Sequence, residues 1–238
     1  MRKMTKERKL EWYWILYDVG NSAFTLLIST IMPIYFNGLA ESGGVDATTA
    51  TAYWGYAASI VTLCVAVLGP ILGTLSDFNG YKRPIFFFFA IAGVIGCAAL
   101  GIPMPWLVFL IVFIITKIFY SASLVFYDSM LVDVTTPARA DDISSKGYAF
   151  GYIGSCIPFL ISIAIVLLSD LSYSVSIPIA LVINAAWWLA SPFRSSRATA
   201  RRTSCRAPST PCATTSSGCS PSFPRSRMSP TRRASSSF

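Results

Sequence analysis

The 238-residue sequence contains no histidine. That removes Ser–His and Cys–His nucleophilic pairs and histidine-ligated zinc together. Charge is scarce as well: 13% of residues are Asp, Glu, Lys or Arg, against roughly 25% in soluble domains. The six cysteines offer little chemistry. Cys64, Cys97 and Cys156 sit inside apolar stretches, where a thiol serves as a small hydrophobic filler. Cys205, Cys212 and Cys219 lack the short spacing of a metal site. No metal, cofactor or disulfide framework is therefore expected, and without a recognisable nucleophile the chain does not read as an enzyme. Acidic residues are missing altogether from residues 193–238, which hold nine Arg, whereas residues 1–192 hold ten Lys/Arg against eleven Asp/Glu. The formal net charge of +8 thus belongs to the C-terminal stretch. No nucleic-acid partner follows from it.

What the chain has in abundance is apolar length, with 54% hydrophobic residues and a mean hydropathy of +0.58. Charge-free runs cover residues 19–40, 47–76, 84–116, 118–127, 147–169 and 171–193. A membrane-spanning helix needs about 20 mostly apolar residues. The run 84–116 is too long for one span and is broken by Pro103 and Pro105. The pattern predicts an all-α membrane protein with six transmembrane helices, near 13–38, 53–75, 84–102, 106–127, 148–169 and 173–192. The first apolar run is too long for a cleavable leader, and no small-x-small site follows it. Lys and Arg fall in residues 1–9, at Lys82 and Arg83, and at Arg139 and Lys146, and are missing from the alternate connections. Cytoplasmic loops retain Lys/Arg, so both ends of the six-helix unit are expected in the cytoplasm, at the plasma (inner) membrane if the source is bacterial. Gly69 and Gly73, and Gly147, Gly151 and Ser155, recur at four-residue spacing. Such rows are expected to pack helices closely.

Between the second and third spans lies GTLSDFNGYKRP, residues 73–84. It resembles the cytoplasmic signature of the major facilitator superfamily, with Gly73, Leu75, Asp77, Gly80, Lys82 and Arg83 at matching offsets. Gly80 permits a turn with positive φ. Asp77 is expected to accept backbone N–H bonds at a helix start, and Lys82 and Arg83 to hold the cytoplasmic face. A second likeness is narrower. WILYDVGNSAF (14–24), PIYF (33–36) and FYDSMLVDVTTPARADDISSKGYAFGYIGS (126–155) resemble the "unknown major facilitator" branch, whose fungal members are vacuolar amino-acid effluxers linked to autophagy. Trp14, Tyr17, Asp18, Asn21, Ser22, Ala23 and Phe24 carry the first pattern. Ser144, Ser145, Gly147, Tyr148, Ala149, Gly151, Tyr152, Ile153 and Gly154 carry the second. The branch often has Asn where Asp128 stands here. The resemblance covers about residues 12–192. It implies the N-terminal six-helix half of a secondary transporter, with the other half as a missing partner and a cytoplasmic gate at Gly73, Asp77, Gly80, Lys82 and Arg83.

Asp18, Ser22, Thr25 and Ser29 recur at steps of four, three and four, with Asn21 beside them, and so share one helix face. In lipid such a stripe must face other helices or a water-filled cavity. Superfamily members line their central cavity with the first and fourth spans. The fourth supplies Lys117 near mid-depth, with Tyr120 and Ser121 one turn on. By the rise per residue, Asp18 lies about 10 Å cytoplasmic of mid-depth. One reading makes Asp18 and Lys117 partners across the cavity, holding a zwitterionic solute or carrying a coupling proton. The other makes Asp18 a brace between helices and Lys117 a snorkelling side chain. Asp128, Asp133, Asp141 and Asp142 read as a solvated, charged loop.

Two segments are expected: a six-helix transmembrane half-bundle over 1–192, and a disordered Arg/Ser/Pro-rich tail over 193–238. The tail's composition reads as the product of a reading-frame slip. The expected function is secondary-active transport of small solutes, with amino acids favoured. The alternative is a non-transporting membrane fragment or scaffold. The expected partners are a small-molecule solute, the bilayer and the second six-helix half.

Overall fold

Lipid supplies no water for orphan backbone groups, so apolar segments close their hydrogen bonds within themselves as helices. The computed structural model describes residues 6–78 and 80–203, with side chains from 8 onward to 190, and its regular elements are all helices. They are α1 (Lys6–Ser42), α2 (Ala47–Asp77), α3 (Lys82–Ala99), α4 (Trp106–Ser129), α5 (Leu131–Val134), α6 (Pro137–Leu168) and α7 (Tyr173–Thr203). Six of them are long and apolar enough to cross a membrane, α5 being the exception. The expected all-α, six-span architecture is the one that forms.

The boundaries have local causes. α2 starts earlier than the expected position near 53 because the Asp46 carboxylate accepts the Thr49 N–H at 2.9 Å, an N-cap. That bond holds the Asp46 carboxyl below the usual range. α6 starts well before its membrane span: Thr136 is extended, and Pro137 takes the first helical turn, where its missing N–H is not needed. The segment 137–147, read as a connection, is therefore helix projecting beyond the apolar run. Gly80, at φ 92°, makes the reversal between α2 and α3 as expected. Asp77 differs from its expectation. It is the last residue of α2, where the helix dipole disfavours a carboxylate, and it is exposed, with no cap bond from its carboxylate among the described residues. α7 passes its expected end at 192 and continues to Thr203, with no helix-breaking residue between Phe193 and that point. Residues 204–238, most of the expected tail, lie outside the described residues.

α1 is central, packing on α2, α4, α5, α6 and α7, while α3 and α4 pair and α7 leans on α3 and α6. The interior is aromatic. Fully buried Trp188 of α7 stacks on Phe24 of α1, centroids 5.3 Å apart, and meets Tyr120 of α4 edge-on at 5.5 Å. Glycines on α3 admit this packing. A β-carbon on Gly93 would lie 2.5 Å from the Trp188 ring, and one on Gly96 would lie 2.2 Å from Thr116 Oγ1. α2 is the least covered span. Positions Gly55, Gly69 and Gly73 have nothing within 4 Å of where a β-carbon would stand. The close packing expected of Gly69 and Gly73 is thus not made within the described residues: Gly69 borders a gap lined by Val65, Leu68 and Leu72 of α2 and by Ile118, Ala122 and Val125 of α4.

One end of the bundle is tied by ion pairs. Lys82 Nζ lies 2.9 Å from Asp133 Oδ2 and 3.3 Å from the Ser129 carbonyl. Arg139 lies 2.9 Å from Glu11 Oε1, which also accepts the Thr135 hydroxyl at 2.9 Å. The starts of α1, α3 and α6 and the short α5 therefore share one end. Of the four acids read as a charged loop, Asp142 pairs with Lys146 one turn along α6 at 2.7 Å. Gly93→Ala is expected to lower stability by about 1–3 kcal/mol through overpacking. The denaturation midpoint of the purified chain in detergent checks it, and an unchanged midpoint would contradict the Trp188 socket.

Candidate functional site

The polar face of α1 is set by its two neighbours. On one side α6 presents glycines. A β-carbon on Gly147 would lie 2.7 Å from the Trp14 ring. One on Gly151 would lie 2.8 Å from Asp18 Oδ2 and 3.1 Å from Ser22 Oγ, and one on Gly154 would lie 2.4 Å from Val19. Gly147 and Gly151, which sequence spacing singled out together with Ser155, form with Gly154 a groove in which α1 lies. On the other side α4 supplies polar aromatics. Trp14 Nε1 donates to the Tyr127 carbonyl at 3.1 Å, the Tyr127 hydroxyl donates back to the Trp14 carbonyl at 3.1 Å, and the rings stack at 4.4 Å. The Tyr17 hydroxyl meets Ser123 Oγ at 3.1 Å. These pairs fix the antiparallel register of α1 against α4. A third helix joins through Trp187 of α7, whose Nε1 donates to the Val19 carbonyl at 3.1 Å, next to Asp18.

Within that frame the expected residues form a chain. Asn21 Nδ2 donates to Asp18 Oδ1 over a long 3.5 Å. The Tyr120 hydroxyl donates to Asn21 Oδ1 at 3.3 Å and is 2.6 Å from Thr25 Oγ1. Lys117 Nζ sits over the Tyr120 ring, 4.6 Å from its centroid, a cation–π contact. No ion pair joins Asp18 to Lys117 among the described residues. By the register, Lys117 lies about 9 Å from Asp18 along the bundle, six residues of α1 at about 1.5 Å each. Tyr120 and Asn21 fill the interval. Ser22 stands against Gly151 beside Asp18. Ser29 turns back to the Thr25 carbonyl at 2.9 Å, and half-buried Ser121 takes no part.

Groups that the sequence reading did not assign to the site also face it. Asp128 is within electrostatic range of Asp18, and Tyr152 within range of Tyr120. Tyr148 is likewise near Tyr127. Tyr148 and Tyr152 are 64% and 62% exposed, so the α1–α4–α6 face they border is open. The residues of the expected gate lie elsewhere, at the ion-paired end. Gly73 is uncovered, Gly80 turns the chain and Lys82 bonds Asp133, with Arg83 in electrostatic range of the same carboxylate. Asp77 is exposed there. Tyr127, Ser123 and Trp187 were missed as partners of the motif. Only Tyr127 had a signal, as part of the 126–155 stretch that carries the family resemblance.

Six spans holding an unbroken polar chain, shielded by protein on two sides and open on a third, define an integral, multi-pass membrane protein with a polar face inside its apolar zone. The family model described as "Vacuole effluxer Atg22 like" matches residues 6–209, and the chain belongs to that family, as its motifs implied. A Bacillus subtilis (strain 168) protein named "Uncharacterized MFS-type transporter YxiO" is 42% identical over 196 residues, covering 79% of this chain and 45% of the relative. An "Uncharacterized protein" of Aquifex aeolicus (strain VF5) is 27% identical over 148 residues, covering 61% of this chain and 36% of the relative. The chain therefore spans less than half the length of each of these relatives. No solved structure matches it.

The α6 groove sets up a direct comparison. Gly151→Ala is expected to lower stability by about 1–3 kcal/mol, since its β-carbon meets the Asp18 carboxylate. Gly69→Ala, beside the gap between α2 and α4 where a β-carbon meets nothing within 4 Å, is expected to be neutral or to stabilise by up to about 1 kcal/mol through helix propensity. Paired denaturation curves in detergent check both. Equal effects at the two positions would refute the groove.

Proposed function

We propose that this chain is the solute-binding half of a secondary-active membrane transporter for small solutes, with amino acids as the favoured class. The observation that carries the reading is the Asp18–Asn21–Tyr120–Thr25 chain with Lys117 over the Tyr120 ring. A carboxylate and an ammonium stand about 9 Å apart along the bundle without a direct pair, so a solute lying along the open α1–α4–α6 face would meet both charges. An α-amino acid places its ammonium toward Asp18 and its carboxylate toward Lys117. Asn21, Ser22, Thr25 and Tyr120 offer hydrogen bonds between, and Ser121 borders Lys117 on α4. Ionisable groups at membrane depth are expensive unless a function keeps them there.

Alternating access moves one six-helix half against another around a central site. The complementary half is the proposed partner, and the gate residues Gly73, Asp77, Gly80, Lys82 and Arg83 are the proposed contact with it. The uncovered face of α2 and the exposed Asp77 support that placement. The ion-paired end is proposed to face the cytoplasm, at the plasma membrane in a bacterium, because it collects the Lys/Arg-bearing connections. Residues 193–238 are proposed to arise from a reading-frame slip, given nine Arg and no acid there. A second reading, a non-transporting membrane fragment, is favoured by one observation: the relatives are more than twice as long as the part matched.

Asp18→Asn and Lys117→Ala, made at the matching positions of a full-length relative, are each expected to reduce amino-acid flux at least tenfold in proteoliposomes. If both leave flux across a panel of radiolabelled amino acids unchanged, the site assignment is wrong. Resequencing the gene past codon 192 decides the frame independently.

A further inference from the structure

The polar chain has a direction. Asn21 gives its amide hydrogen to Asp18 and receives the Tyr120 hydrogen on Oδ1. A phenol has one hydrogen, so the 2.6 Å contact with Thr25 is donated by Thr25. Every hydrogen therefore points toward Asp18, an arrangement that suits an ionised carboxylate, which only accepts.

A neutral Asp18 has a hydrogen to give. It forms when the carboxylate takes a proton from hydronium at the open α1–α4–α6 face, making one O–H bond and releasing water. Asn21 then meets that donor by turning its amide half a revolution, Oδ1 toward Asp18 and Nδ2 toward Tyr120. The Tyr120 oxygen accepts, and its own hydrogen swings to Thr25 Oγ1. Each member remains bonded in both states, and no backbone moves. Asn21 and Tyr120 are 2% and 5% exposed, so water does not repair a half-reversed chain, and a buried unpaired group is unfavourable. The chain thus has two satisfied polarities and no stable mixture of them.

We propose that Asn21 and Tyr120 are positioning residues that relay the ionisation state of Asp18 to the solute-facing end at Thr25 and Lys117 by reversing this polarity. The solute end rests on the transporter reading above; the relay does not. Lys117 takes part from its place over the ring, because a cation there draws electron density from the phenol and makes its hydroxyl a better donor. That favours the polarity directed at Asp18. A solute carboxylate that drew Lys117 away would weaken the bias, and linkage makes the effect reciprocal. The titratable and charged groups facing the chain are Tyr17 on α1, Lys117, Tyr127 and Asp128 on α4, and Tyr148 and Tyr152 on α6. α7 brings Trp187 and Trp188, which do not titrate.

The test is pH-titrated infrared difference spectroscopy of the full chain in lipid nanodiscs, with the Asp18 carboxyl band assigned by its loss in Asp18→Asn. Tyr120→Phe and Thr25→Val each remove a remote link without touching Asp18. Each is expected to move the midpoint of the Asp18 band by a threefold or larger change in proton concentration, with helical circular dichroism unchanged. Midpoints equal to wild type in both variants, or an Asp18 band that does not titrate, overturn the relay. Should Tyr120→Phe fail to fold, Thr25→Val decides alone. Binding of tritiated leucine on either side of the midpoint is expected to differ at least threefold in wild type and to lose that difference in Thr25→Val. Leucine binding that is equal at both pH values while the band shifts persist overturns the coupling to solute. No binding of any amino acid, with the band shifts intact, sinks the transporter reading and supports the relay.

Discussion

The close approach of α1 to α6 governs the rest of the arrangement. Between helices in lipid there is no hydrophobic force to gather them, and what remains is van der Waals contact and interhelical hydrogen bonding. Glycine at 147, 151 and 154 lets Trp14, the Asp18 carboxylate and Val19 occupy the space of absent side chains. A larger residue at any of these positions would push α1 outward. The same displacement would disturb the contacts of Trp14 and Tyr17 with their partners on α4, since one helix serves both contacts.

The first-span motif is consequently structural and polar at once. Trp14 and Tyr127 exchange side chain-to-carbonyl bonds and stack, so neither ring turns without breaking two interactions. Phe24 belongs to the Trp188 and Tyr120 cluster nearly three turns further on. Asp18 and Asn21 lie between these two anchors on the same helix. Their geometry is held by aromatic packing rather than by a countercharge, and an amide and a phenol fill the interval to Lys117.

Residue order alone revealed a good part of this. Charge-free runs and the prolines at 103 and 105 reveal the six spans, and Gly80 announces its positive φ through the turn it must make. The limits came where lipid boundaries and helix boundaries part. The segment 137–147 is charged, hence outside the apolar zone, yet Thr136 and Pro137 start a helix there. Asp77 looked like a cap because Asp often is one, but the chain reverses at Gly80, after α2 has already ended. Periodicity places Asp18, Ser22 and Thr25 on one face without saying what meets it. Gly69 and Gly151 have identical spacing signals, and only the packing of each helix in the bundle makes one border a gap and the other a groove. Trp187 binding the Val19 carbonyl had no local signature at all.

The ion pairs of Lys82 with Asp133 and Glu11 with Arg139 are gathered at one end, whereas the far end is closed by ring stacking such as Tyr53 on Trp106 and Tyr35 against Phe109. The bundle is thus electrostatically lopsided. Mobile ions that shorten the reach of charge at ordinary ionic strength act on the rim where the short α5 is tied down, and among the described residues find no ion pair to screen at the aromatic end. A single solvent variable can therefore soften one mouth of the bundle and leave the other rigid.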